Sequence, residues 1–372
     1  MNSDEIKKVI ESCHLNFLIG SGASKPFLEI LGVIEGLLTE LAEKEDGEEK
    51  TIIEASIKKY YFDETIKGNL KIFTGNTENL KKTKKAYKDF INALNTILIK
   101  RKSNLVSKQV NVFTTNMDLF LDYTIERLGL ACNDGFSGKM NPKFGTENFH
   151  NSIRKTSTHY EYQSEVPLFN LFKLHGSVDW KIEKNEIVYD TGLKILKKVS
   201  KIEIPEDGLV EIQYEKGGDL TYYSIDEMFD EFQKYDIILD EKHENFLEAY
   251  NQFVMINPTK EKFKTTTRDL TFYELLRMYS NHLERENSVL FVFGFSFADE
   301  HIREITKRVA VSNPTLLIII FAYDIQSKEN IEKLLPKRSN IKIICDEEEK
   351  TKYSLKQINE DYFAKLAMEL EN

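Results

Sequence analysis

Four short segments combine residue types whose spacing could support chemistry. Gly20-Ser21-Gly22-Ala23-Ser24 directly follows an apolar run. Glycines there let the backbone turn tightly and approach a pyrophosphate, while free N–H groups and a following helix N-terminus hold the anion. A plain strand-to-helix turn leaves the same trace. Thr114-Thr115-Asn116-Met117-Asp118 sets hydroxyls, an amide and a carboxylate at the end of a second run. These could meet a ligand, or Asn116 or Asp118 could simply cap a helix. Lys173-Leu174-His175-Gly176-Ser177 ends a third run. Its histidine suits proton transfer near neutrality, although a satisfied, half-buried histidine is the commoner case. Gly294-Phe295-Ser296-Phe297, with Asp299 and His301 behind it, offers another glycine turn and small hydroxyl, or again a turn plus cap.

The elements that would position these segments are short apolar runs, which read as strands buried on both faces. They are Leu15–Gly20, Val110–Thr115, Leu168–Leu174, Phe253–Asn257, Val289–Gly294, Thr315–Ala322 and Ile341–Cys345. Helical patterns lie between many of them. Ile302, Ile305 and Val309 fall at helical spacing behind Asp299, a plausible N-cap residue. The alternation predicts an α/β fold, a Rossmann-like parallel sheet with helices on both faces. All four segments then lie at strand C-termini, where one crevice can gather them.

The chain reads as a single domain over residues 1–372 with two insertions. Residues 28–105 form a large, mainly helical insertion, in which Ile91, Leu94 and Leu98 make an apolar stripe. Residues 181–250 form a second, mixed insertion containing β-like pieces such as Leu209–Tyr214. Residues 130–165, rich in Asn, Gly, Ser and Thr, read as a long loop.

Composition narrows the function classes. Of 372 residues, 41% are hydrophobic and 30% charged, which is ordinary globular usage. The net charge of −10 argues against a dedicated nucleic-acid binder. The basic stretches Lys81–Lys85 and Lys100–Lys102 read most simply as solvated helix faces. Cys13, Cys132 and Cys345 form no CxxC pair, so no structural zinc site is expected. Free thiols without a secretory signal predict a cytoplasmic protein. The longest wholly apolar run, Leu316–Ala322, is too short to cross a bilayer.

The order of the four segments resembles the sirtuin family. The family's GAGxS loop is similar to Gly20–Ser24, with Ser21 in place of Ala. Its TxNxD segment resembles Thr114–Asp118, its His-Gly dipeptide His175-Gly176, and its Gly-x-Ser turn Gly294-Phe295-Ser296. The resemblance runs from about residue 14 to about 346. The cysteine-free stretch Trp180–Tyr250 stands where deacylase sirtuins carry their zinc module, so the resemblance implies a fold without that module. Ile256-Asn257-Pro258-Thr259 and the Gly294–His301 stretch look like the divergent bacterial branch, whose members resemble NAD hydrolases of anti-phage systems.

The resemblance implies NAD as substrate, cleaved to nicotinamide and ADP-ribose without a metal. Asn116 would orient the attacking water or the ribose hydroxyls. It also implies that Asp118 contacts the carboxamide and that His175 acts as base on a ribose hydroxyl. Gly20, Ser21, Gly22, Ala23 and Ser24 would hold the pyrophosphate beside Thr115, with Gly294 and Ser296 on the adenosine side. Control is expected from assembly, as a homo-oligomer paired with a HerA-like translocase ATPase. Rival readings are an NAD-dependent protein deacylase and a non-catalytic NAD- or ADP-ribose-binding scaffold. A generic Rossmann dehydrogenase is weaker, because the GxGxxG spacing is incomplete.

Overall fold

Six of the seven apolar runs become strands of one parallel sheet. The computed structural model describes residues 3–29, 32–101, 106–159, 161–216, 218–235, 237–256, 267–348 and 350–371. The sheet strands are β1 (His14–Ile19), β2 (Gln109–Thr114), β3 (Ala131–Asn133), β4 (Leu168–Lys173), β5 (Ser288–Phe293), β6 (Leu317–Phe321) and β7 (Ile341–Ile344). Their spatial order is β7-β6-β5-β1-β2-β4-β3, and every pairing is parallel. From β1 the chain builds outward through β2, then returns to lay β5, β6 and β7 on the opposite side. The strand order therefore reverses beside β1, where open α/β sheets bind ligands at their carboxyl ends.

Both faces of the sheet are covered, which explains the near-continuous hydrophobicity of its strands. Phe17, Ile19, Val112 and Phe291 enter one core with the helices Glu78–Lys100, Phe120–Arg127 and Ala364–Glu371. Leu18, Phe113, Leu290 and Ile318 enter the other with the helices Thr267–Glu284, Glu300–Ser312 and Ile325–Leu334. The architecture is thus α/β and Rossmann-like.

The strands also bury a polar row. Asn16, Asn111 and Asn170 are register partners across β1, β2 and β4. Asn111 donates to Asn16 at 2.9 Å, and Asn170 donates to Asn111 at 2.9 Å. Such a ladder favours one register, because a slip of one residue would strand buried amides.

Two stretches differ from expectation. Phe253–Asn257 is not a sheet strand: within it Met255 makes only an isolated antiparallel bridge with Gly176, and Asn257 lies outside the described residues. Phe253, Val254 and Met255 are buried, and apolarity reports burial rather than pairing. Within the expected loop 130–165, Ala131–Asn133 adds an edge strand too short to show a pattern, and Phe136–Ser137, Lys143–Phe144, Arg154–Thr156 and Gln163–Glu165 make small antiparallel pairings outside the main sheet.

Residues 28–105 supply the helices Gly32–Ala42, Glu48–Tyr61, Asn69–Thr74 and Glu78–Lys100. The last lies on the sheet through Tyr87, Phe90, Ile91, Leu94 and Leu98. The first two share a separate core with Val210, Ile212, Ile225 and Met228 from the 181–250 stretch. Among the described residues, no group of three or more His, Cys, Asp or Glu could hold a metal ion. No described helix is long and apolar enough to cross a membrane.

Candidate functional site

The glycine turn after β1 and the turn after β5 are in direct backbone contact. Gly20 N donates to Phe293 O at 3.1 Å, and Gly22 N donates to Gly294 O at 3.0 Å. A Cβ on Gly20 would sit 2.3 Å from Gly294 O, and Gly294 itself has φ +64°. These glycines thus serve close approach of two loops at the switch point. The turn is a four-residue 3₁₀ segment, Ser21–Ser24, rather than the start of a longer helix. Its Gly20, Gly22 and Ala23 amides already donate within the protein, so a pyrophosphate would find fewer free N–H groups than the sequence suggests.

Beside this turn, Thr115, Asn116, Met117 and Asp118 form one wall of a cleft of about 420 Å³, its open mouth included. Ser21 and Ser24 continue that wall. The opposite wall comes from the helical segment, through Leu28, Glu29, Tyr61, Thr65, Ile66 and Asn69. Thr65 and Ile66 lie in a π-helical turn, Phe62–Ile66, a local widening common at functional positions.

Asn116 and Asp118 share one hydrogen-bond system with Ser24. Asn116 Nδ2 donates to Gly20 O at 3.1 Å and to Ser24 Oγ at 3.3 Å. Ser24 Oγ donates to Asp118 Oδ2 at 2.6 Å and lies 3.0 Å from the Tyr87 hydroxyl. Asp118 Oδ1 accepts from Phe120 N at 3.0 Å, so the carboxylate does local backbone work as well. Burial pushes Asp118 above the usual carboxylate range, against the pull of Ser24 and Lys173. Two polar atoms in this cleft lack partners: Asn116 Oδ1 and Thr65 Oγ1 are buried without a hydrogen bond. Each such group costs about 1–3 kcal/mol unless something fills the bond.

Behind this wall lies a buried charge network. Lys173 Nζ sits 2.6 Å from Asp122 Oδ2, donates to Asp118 O at 2.7 Å, and donates to Ser177 Oγ at 3.0 Å. Burial pulls Lys173 down, but Asp122 and Asp179 lift it above its ordinary value. Burial raises Asp179 to about 6, opposed by Lys173.

His175 does not line the cleft, and neither do Gly294 or Ser296. Its ring instead faces the loop after β5, with Nε2 3.0 Å from Asp299 Oδ2. Its backbone is fixed by Ile256 N, which donates to His175 O at 3.0 Å. Gly176 follows with φ +78°, and a Cβ there would meet Val254 O at 2.1 Å, which accounts for the His-Gly pair. Ser296 Oγ accepts from Ala298 N at 3.4 Å. Asp299 caps the helix Glu300–Ser312, as its position implied, while His301 is exposed on that helix. The segments thus form two groups, one around Asn116 and one around His175 and Asp299, joined through the Gly20–Gly294 contact. The lysines of Lys81–Lys85 lie on a helix face, with Lys84 over the Tyr123 ring and Lys85 2.5 Å from Asp89. Asn257-Pro258-Thr259 lie outside the described residues.

Sequence reasoning missed Tyr87, Tyr61, Thr65 and Asn69. Tyr87 had a signal: it extends the Ile91, Leu94, Leu98 stripe by one turn and is its hydroxyl-bearing member. The other three carry no such mark: they lie on three successive short elements, Glu48–Tyr61, Phe62–Ile66 and Asn69–Thr74.

The sequence profile of the SIR2-like domain matches residues 239–344. The matched stretch includes β5, the Gly294 turn and Asp299, and extends through β6 to the end of β7. It supports a sirtuin-like family and chemistry involving NAD. No curated protein matches the chain.

Proposed function

We propose that the chain hydrolyses NAD to nicotinamide and ADP-ribose at the crevice beside β1, β2 and β4. The observation that carries this reading is Asn116: it lines the cleft at the strand-order reversal, and its Oδ1 lacks a partner. A water or a ribose hydroxyl is the natural donor to that oxygen.

Nicotinamide leaves a pyridinium as a neutral ring, so no strong general acid is required. The site must hold the ribose, stabilise positive charge at its anomeric carbon and aim a water. Asn116 orients the water or the hydroxyls, and His175 takes a proton from a ribose hydroxyl. Asp118 holds Ser24 and offers its remaining lone pairs to the carboxamide. Ser21 and Thr115 face the phosphates, with Gly20, Gly22, Ala23 and Ser24 shaping the turn and Gly294 and Ser296 on the adenosine side. Water adds to the anomeric carbon as the N-glycosidic bond breaks, and a proton from that water restores the ribose hydroxyl. The bond's electrons go to the nicotinamide nitrogen, and the proton taken up by His175 is the one released.

The sequence resemblance extends the proposal to a homo-oligomer that pairs with a HerA-like ATPase and depletes NAD in anti-phage defence. Sizing the chain with and without a co-encoded ATPase tests assembly; a monomer in both cases contradicts it. Nicotinamide release from NAD, measured with and without acylated peptide, tests the reaction. Peptide-independent release supports hydrolysis, and strict peptide dependence points to deacylation. Binding without turnover points to a scaffold.

A further inference from the structure

We infer that Asp299 is a positioning residue that holds His175 in a single tautomer, an inference that rests on the reading of His175 as the base. His175 follows β4 and Asp299 follows β5, with β2 and β1 between these strands. The pair therefore bridges the carboxyl edge of the sheet, with Nε2 3.0 Å from Oδ2. Both side chains are largely enclosed, at 20% and 8% exposure, so water screens the pair weakly.

The two carboxylate oxygens have separate tasks. Oδ1 accepts from Ile302 N at 3.0 Å and caps the helix, which fixes the carboxylate plane; Oδ2 faces the imidazole. The loop that delivers Asp299 is itself held. Phe297 is buried at φ +60°, and Arg303 Nη1 donates to the carbonyls of Phe297 at 2.9 Å and Ala298 at 3.2 Å. A non-glycine residue in that region is retained only where its surroundings over-determine it.

A carboxylate has no proton to give, so Nε2 of a neutral His175 must carry the hydrogen. Nδ1 is then left with the lone pair, able to accept the ribose proton. The imidazolium so formed faces a carboxylate that stabilises it. This division of roles is the general logic of carboxylate–histidine pairs.

Asp299→Asn separates capping from orientation. Asparagine caps as well as aspartate, and with Oδ1 on Ile302 N its Nδ2 faces His175. A donor there demands the opposite tautomer, Nδ1–H. The test is ¹⁵N NMR of the full chain labelled at histidine, with His175→Gln assigning the signals, beside NAD-cleavage kinetics and thermal unfolding. The expected result is Nε2–H in the wild type and Nδ1–H in Asp299→Asn. With it, kcat falls roughly a hundredfold, KM stays within about twofold and Tm is unchanged. The same tautomer in both proteins overturns the inference, as does an unchanged kcat in the variant. If the wild type cleaves no NAD, the hydrolase proposal fails separately. The tautomer then decides alone: a switch upholds the positioning role, and no switch overturns it.

Discussion

Asn116 donates to the carbonyl oxygen of Gly20 at 3.1 Å, tying the end of β2 to the glycine turn after β1. The same amide leaves Oδ1 buried and without a partner. One side chain thus fixes the crevice with one end and holds an unused acceptor at the other. Asn170 Oδ1 in the strand ladder is likewise unpartnered, but Asn116 is the one of the two that lines the cleft.

Thr65 tests the opposite wall. Its hydroxyl is buried without a hydrogen bond, so Thr65→Val removes an unsatisfied group while keeping the shape. Urea unfolding should show stability equal to or greater than wild type, while KM for NAD rises about fivefold or more, in line with about 1 kcal/mol for a lost hydrogen bond. A variant with wild-type KM places Thr65 outside the substrate's reach.

Gly294 tests the loop contact. Alanine there would bring Cβ to 2.6 Å from Ala23 N at φ +64°. The combined strain and overlap should cost roughly 2–4 kcal/mol in urea unfolding. Gly192 supplies the control: it has φ +84°, but a Cβ there would meet nothing within 4 Å. Gly192→Ala should therefore show backbone strain alone, about 1–2 kcal/mol. Equal losses at both positions would remove the loop contact as the reason for Gly294.

Asp179 sets a pH dependence. Burial raises its folded value to about 6 from an ordinary 3.8. A raised carboxyl contributes stability that is fully present below the ordinary value and is lost as pH rises through about 6. Asp179→Asn lacks this titration. The wild type should therefore lose stability relative to the variant as pH rises from about 3.8 to about 6 and stay level above that, measured by urea unfolding at several pH values. A difference that stays flat, or moves the other way, contradicts the assignment.

Much of the fold was legible because strand burial writes itself as apolar runs: β1, β2, β4, β5, β6 and β7 each had one. Ala131–Asn133 was not legible, since three residues at a sheet edge carry no period. Phe253–Met255 misled for the reverse reason, being buried against the Gly176 turn without joining the sheet. The asparagine ladder was visible in principle, as one Asn inside each of LNFLI, VNVFT and LFNLF, but its meaning needs the register. At the site, strand-end position identified Asn116 and His175 as candidates. The pairing of His175 with Asp299 was hidden, because 124 positions of sequence separate them and helix capping already explained the aspartate. Thr65 was hidden because a π turn, rather than a regular helix, brings it to the cleft.

The most direct measurement is nicotinamide and ADP-ribose production from NAD by the purified chain, wild type beside Asn116→Ala, with and without a co-encoded ATPase. Hydrolysis by the wild type, falling at least about a hundredfold in a variant that still unfolds cooperatively within about 2 kcal/mol of wild type, is the predicted result. Absence of hydrolysis under every condition, or undiminished hydrolysis by Asn116→Ala, would contradict it.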